Sequence, residues 1–119
     1  MENYYGSGQL KSRWYYKDGK LDGDLEVYYE NGQLESKRSY KNGELEGLIE
    51  TYYDNGQLKS KGNYERGKKV GPSERYHVNG QLKTKNHYVG GKLDGLHEIY
   101  HENGELVHRG CFKSGCLVN

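Results

Sequence analysis

The stretch Tyr29-Glu30-Asn31-Gly32-Gln33-Leu34 sets an aromatic residue three places before a glycine and a leucine two places after it. The same spacing returns around Gly8, Gly19, Gly43, Gly56, Gly67, Gly80, Gly91, Gly104 and Gly115, with Lys69 in place of one leucine and His77 and His101 in place of tyrosine. Asn-Gly and Asp-Gly pairs favour two-residue hairpin turns, because both central residues of a type I′ turn need positive φ. Asp18-Gly19, Asn31-Gly32, Asn42-Gly43, Asn55-Gly56, Asn79-Gly80 and Asn103-Gly104 all carry that chemistry. The chain therefore reads as one hairpin after another.

Composition agrees. Only 32% of the 119 residues are hydrophobic, and 13 of those are tyrosines, too little for a two-layer core. Disordered chains share the low hydrophobicity but lack aromatics at fixed spacing. Alanine is absent while Gly, Tyr, Asn and Lys abound, so no helix is expected. A net charge of +1 with intermixed signs gives no footprint for nucleic acid. No apolar run is long enough to span a bilayer, and Met1-Glu2-Asn3-Tyr4 does not open a signal peptide. With only Cys111 and Cys116 there is no disulfide framework, so a reducing cytoplasm is the expected location.

Tyr4, Tyr28, Tyr52, Tyr76 and Tyr100 begin five units of 24 residues without an insertion, so residues 1–119 form a single repeat domain. The turn glycines alternate in spacing between 11 and 13 residues, leaving strands of ordinary length. A two-residue turn at Asn31-Gly32 sets Tyr29 opposite Leu34, Val27 opposite Ser36, Glu26 opposite Lys37 and Gly23 opposite Tyr40. The same arithmetic pairs Glu50 with Lys61, Glu74 with Lys85, Glu98 with Arg109, and lays Tyr64, Tyr88 and Phe112 over Gly47, Gly71 and Gly95. A three-residue turn with a glycine bulge is the competing register, expected to lose these pairings. The fold class is all-β: an elongated, single-layer antiparallel meander of about eleven strands, roughly 50 Å long at strand spacing. Alternation sends Tyr29, Leu34, Tyr40, Leu45, Ile49, Thr51, Tyr53, Leu58 and Tyr64 to one face and the glutamates and lysines to the other.

The units Gly47 to Tyr64 and Gly95 to Gly104, with their Gly, Tyr-Tyr, Asn-Gly and Leu pattern, resemble the bacterial variant of the MORN repeat over nearly the whole chain. The resemblance implies a curved single sheet, roles in scaffolding and in protein or lipid contact, and for many bacterial members an antitoxin assignment. Leu25, Ile49, Ser73 and His97 stand where the family often has tryptophan, and the one tryptophan is Trp14.

His97, His101 and His108 fall on the apolar face. Diagonal neighbours are too far apart for closed zinc geometry, and His77 and His101 read as aromatic substitutes, so packing is favoured over metal. Cys111 faces Val118 across the Ser114-Gly115 turn, with Cys116 diagonal and too distant for a disulfide. No catalytic constellation and no phosphate loop is legible, so neither an enzyme nor a cofactor is expected. In the fourth repeat Lys69, Pro72, Ser73, Arg75 and His77 interrupt the pattern at Leu45, Leu48, Ile49, Thr51 and Tyr53. Pro72 is read as opening a strand. Two readings stay open: a local hydrated bend, or a polar recognition patch of Arg75, His77, Thr84 and Asn86 within an aromatic groove. Asn119 arrives where another repeat would start, which reads either as a fragment of a longer array or as open edges that pair with a partner or a second copy.

The expected function is a non-catalytic protein-binding module, with Trp14, Tyr29, Tyr40, Tyr53, Tyr64, Arg75, His77 and Tyr88 as partner-binding residues. The alternatives are a membrane-lipid surface, weakened by glutamates among the lysines, or a structural scaffold.

Overall fold

The computed structural model describes residues 1–118, with side chains as far as Gly115; Asn119 and the thiol of Cys116 lie outside the described residues. It contains strands and no helix among these residues. Eleven strands follow one another in chain order across a single antiparallel sheet, and two short strands pair at its margin. A separate two-stranded ribbon joins Tyr16–Lys17 to Lys20–Leu21. The molecule measures 50 × 35 × 14 Å, the length expected from strand spacing and the thickness of one curved layer.

Two kinds of turn alternate along the chain. At Asp18-Gly19, Asn42-Gly43, Arg66-Gly67, Gly90-Gly91 and Ser114-Gly115 both central residues have positive φ, from 49° to 56° at the first and 77° to 88° at the second. These are the two-residue turns expected of Asn-Gly, and arginine and serine adopt them too. At Gly8, Gly32, Gly56, Gly80 and Gly104 only the glycine has positive φ. There Gly32 N–H donates to Tyr29 O at 3.0 Å and Tyr29 N–H to Gln33 O at 2.8 Å, closing a three-residue loop.

The two-residue reading of Asn31-Gly32, Asn55-Gly56, Asn79-Gly80 and Asn103-Gly104 is thus corrected. Leu34 faces Tyr28, not Tyr29, yet Val27 still faces Ser36 and Glu26 still faces Lys37. The pairings survive because a second irregularity leaves Glu35 unopposed and restores the count that the longer loop removed. Asn31 selects this loop: its Oδ1 accepts from Gln33 N–H at 2.9 Å, while its Nδ2 donates to Asp54 O at 2.8 Å in the next repeat.

No hydrophobic side chain is buried among the described residues; the buried polar ones are Ser36 and Glu98. Cohesion comes instead from hydrogen bonds that join each repeat to its successor at both margins. At one margin Tyr5, Tyr29 and Tyr53 donate their hydroxyls to the carbonyls of Tyr28, Tyr52 and Tyr76, each at 2.7 Å. His77 takes the same place, its Nε2 on Tyr100 O at 3.0 Å, which bears out its reading as an aromatic substitute. At the other margin Gly43, Gly67, Gly91 and Gly115 N–H reach the carbonyls of Leu21, Leu45, Lys69 and Leu93 at 2.8–2.9 Å.

Removing one hydroxyl from this series tests its worth. Tyr53→Phe keeps the ring and loses the bond to Tyr76 O, so the stability measured by urea unfolding should fall by about 1 kcal/mol. An unchanged midpoint and slope would show that the tyrosine series is not what holds neighbouring repeats together.

Candidate functional site

The two faces of the sheet are chemically distinct. On one, glutamates and bases alternate from strand to strand: Glu2, Arg13, Glu26, Lys37, Glu50, Lys61, Glu74, Lys85, Glu98 and Arg109 stand in a single row of direct cross-strand partners. Sequence arithmetic finds the pairs within hairpins. It misses that each base also faces the glutamate of the adjoining hairpin.

Tyrosines finish the row. Tyr4, Tyr28, Tyr76 and Tyr100 donate to Glu2, Glu26, Glu74 and Glu98 at 3.2, 3.0, 2.7 and 2.9 Å. Burial, then the Glu74 bond, pushes the Tyr76 phenol up to about 12, so its contribution is complete below the ordinary value of 10 and is lost between there and the raised one. Glu98 is only 7% exposed and accepts from Arg109 Nε at 3.1 Å and Nη2 at 2.9 Å. Those guanidinium bonds first, and the Tyr100 hydroxyl next, hold its carboxyl below the usual range.

The other face carries the candidate binding residues. Tyr40, Tyr64, Tyr88 and Phe112 lie directly opposite Gly23, Gly47, Gly71 and Gly95, as the register requires. These rings are half-buried, with no second layer over them. Burial first, then the neighbouring Tyr88, raises the Tyr64 phenol above its ordinary value, while Arg38 acts in the opposite direction. Trp14 is half-buried just past the strand Leu10–Arg13, its backbone N–H donating to Met1 O. Tyr29, Tyr53 and His77 stand apart at the three-residue turns, committed to the carbonyls of the following repeat.

The fourth repeat is continuous where the others break, a single strand Lys68–Tyr76. Pro72 does not open it. Val70 pairs with Asn63 and Ser73 with Gly62, so Gly71 and Pro72 form a two-residue bulge toward that neighbour, where a missing N–H costs little. The proposed polar patch does not converge. Asn86 is bonded to His97, His77 sits at the margin, and Arg75 lies between Ser60 and Thr84, whose buried hydroxyl has no protein partner.

Arg75 belongs to a different cluster, a groove of about 330 Å³ bounded by Ile49, Thr51, Lys59, Ser60, Lys61, Gly62, Tyr64, Lys69, Ser73 and Arg75. Lys59 Nζ lies 5.5 Å from the Tyr53 ring centre and Lys69 Nζ 5.0 Å from that of Tyr88. His97 packs edge-on against His108 at 5.9 Å and Phe112 at 5.4 Å. Leu48, aligned in the sequence reading with the apolar stripe, turns to the charged face and is 47% exposed. Cys111 pairs with Val118 as expected and is exposed.

An uncovered ribbon of hairpins with one self-neutralised face and one aromatic face defines an extended repeat protein of the binding kind. The MORN repeat variant pattern matches residues 1–18, 21–42, 45–66, 69–89 and 93–114. The chain belongs to this family of MORN repeat proteins, whose repeats are binding modules for protein or membrane. Among curated proteins nothing matches it. A chain in the crystal structure of a GtfA/B complex bound to UDP and GlcNAc is similar at 19% identity and a TM-score of 0.35. That similarity covers 93% of this chain and spans 21% of the other.

The Glu98 site yields a pH dependence. Because its carboxyl is depressed in the folded state, its stabilisation is complete above the ordinary carboxyl value of 4.5 and is lost as pH falls through the lower folded one. Glu98→Gln should melt below the parent at neutral pH, and the gap should close on acidification to about pH 2. A gap that stays constant with pH would mean that shape, not charge, sets the worth of this position.

Proposed function

We propose that the chain is a non-catalytic, cytoplasmic protein-binding module that masks part of a partner protein with its tyrosine-lined face. The observation that carries this reading is the row Tyr40, Tyr64 and Tyr88, half-exposed and covered by no helix or second sheet. A large ring with a polar tip suits a surface that is wet when free and dry when bound. Uncovered apolar faces of this kind mark interaction sites.

In its narrower form the proposal is of an antitoxin or inhibitor, a flat ribbon laid over a partner's working surface; that form rests on the family resemblance. Trp14 and Arg75 lie beside the tyrosine row and join it as contact residues. Tyr29, Tyr53 and His77 act at one remove, by fixing each turn against the next repeat.

Lipid binding is the second reading. The lysines that would attract anionic headgroups stand between glutamates in the cross-strand row, which removes most of the field they would exert. That arrangement favours a protein partner.

The two readings separate by experiment. Capture from the native host, followed by calorimetry against the captured partner, should show Tyr40→Ala with Tyr64→Ala losing at least about ten-fold in affinity. Circular dichroism should show the sheet intact. Undiminished affinity in the folded double variant, or flotation with anionic liposomes that survives high salt, would overturn the assignment.

A further inference from the structure

We propose that the groove across the third and fourth repeats receives an acidic, extended segment of the partner polypeptide, held by Arg75, Lys69 and Lys59 with Tyr64 packing against its apolar side chains. This rests on the protein-binding reading and names the chemistry of what is bound.

Glu26, Glu50, Glu74 and Glu98 all stand in the cross-strand row of the opposite face, opposed there to Lys37, Lys61, Lys85 and Arg109. The ion pairs within 4 Å among the described residues are Glu2 with Arg13, Asp24 with Lys37 and Glu98 with Arg109, none of them in the groove. Lys59, Lys69 and Arg75 are bounded instead by hydroxyls, an isoleucine and a tyrosine, and no carboxylate lines the groove. Arg75 and Lys59 are exposed. A protein of net charge +1 thus carries a local excess of positive charge in this groove, whose lining holds no carboxylate to offset it.

Comparison between repeats shows that this excess is not needed by the fold. Arg75 occupies the position of Val27, Thr51 and Ile99, and Lys69 that of Leu21, Leu45 and Leu93. Both replace uncharged residues that serve the same strand pairings elsewhere in the chain. Val70 stands where Glu46 and Asp94 supply a carboxylate to the N–H of Arg66 and Ser114, at 2.8 and 3.3 Å. The fourth repeat has therefore gained two cations and lost an anion at three of its positions, 69, 70 and 75.

Hydroxyls, a planar guanidinium and two lysines held over tyrosine rings match carboxylates spaced along a strand-like segment, whose alternate side chains would meet Ile49 and Tyr64. Of the four cations that line the groove, Lys61 stands between Glu50 and Glu74 in the cross-strand row; the three left without a carboxylate fall short of the cluster of four to eight that a membrane surface calls for, about 1 kcal/mol each, so a polypeptide is the favoured occupant.

The test uses the full chain and a fluorescein-labelled octapeptide of alternating glutamate and leucine, with a glutamine-for-glutamate counterpart, followed by anisotropy. The acidic peptide should bind at least about ten-fold tighter than the neutral one and weaken as salt is raised. Lys69→Gln with Arg75→Gln should abolish the difference, whereas Lys37→Gln, on the opposite face, should preserve it. Equal binding of the two peptides would overturn the acidic preference while leaving the tyrosine face as a protein-binding surface. Failure of the acidic peptide to bind, or binding indifferent to the double variant, would overturn the groove itself. Retention of the chain by phosphatidylserine vesicles with the same dependence on Lys69 and Arg75, and no peptide binding, would replace the polypeptide with a membrane.

Discussion

A sheet with nothing packed against it cannot bury side chains, and every other feature of this protein follows from that constraint. Hydrophobic burial ordinarily offsets the entropy of ordering a chain, yet here no apolar side chain among the described residues is fully withdrawn from water. What remains is the backbone ladder, half-burial of rings over glycines, and regular bonds between one repeat and the next. Each of these acts only on nearest neighbours, so the molecule behaves as a one-dimensional stack. Tyrosine recurs because it serves all three needs. Its ring covers a glycine on one face, its hydroxyl reaches a carbonyl at the margin, and on the other face it donates to a glutamate.

The charge row is the second consequence. In a layered protein one face of a sheet would be apolar and hidden, and the other free to vary. In this single layer the solvent-facing charges must also help to hold strands in register, because a slip of one residue would set each glutamate against the wrong face. Alternation from strand to strand gives every interior glutamate a base on either side. Individual exposed pairs contribute little; in a continuous row each member is shared by two neighbours. The sorting also leaves the aromatic face with few carboxylates of its own, and the cations there stand out for that reason.

Much of this was legible in the sequence. Strict 24-residue recurrence gave the architecture, the strand count and the length, and pairing Glu26 with Lys37 or Gly47 with Tyr64 required only counting. The turn at Asn31-Gly32 was not legible from its dipeptide, since Asn42-Gly43 has the same two residues and a different geometry. The difference lies in partners one repeat away: Asn31 reaches Asp54 O, whereas Asn42 N–H faces the Asp22 carboxylate at 3.4 Å. The unequal glycine spacing reflects a different feature, the two extra residues after each two-residue turn, where Leu45 faces Tyr40 but Glu50 faces Lys37. The pairings were right despite the wrong turn because two irregularities cancel. The same limit applies to the site. Sequence placed Tyr29, Tyr53 and His77 among the partner-binding residues, but their polar atoms are already taken by neighbouring repeats; Lys69 stood out only as a break in the leucine pattern, and its place beside Lys59 and Arg75 needed the strands laid side by side.

Repetition within one chain gives an internal control that single-copy domains lack. Where five units share a framework, a position that departs in one unit without disturbing the pairing has been released from structural duty. The fourth unit keeps Gly67, Gly71, Tyr76, Gly80 and Tyr88, the residues that turn the chain, bend it and cover the bend, and their partners stand in the same register as in neighbouring units. Its departures at Lys69, Val70 and Arg75 all alter charge on or beside the aromatic face. A drift toward simple solubility would scatter such changes over both faces. Their concentration beside Tyr53, Tyr64 and Tyr88 argues that the framework was held constant while the surface was fitted to something, and that the fit is electrostatic as well as apolar.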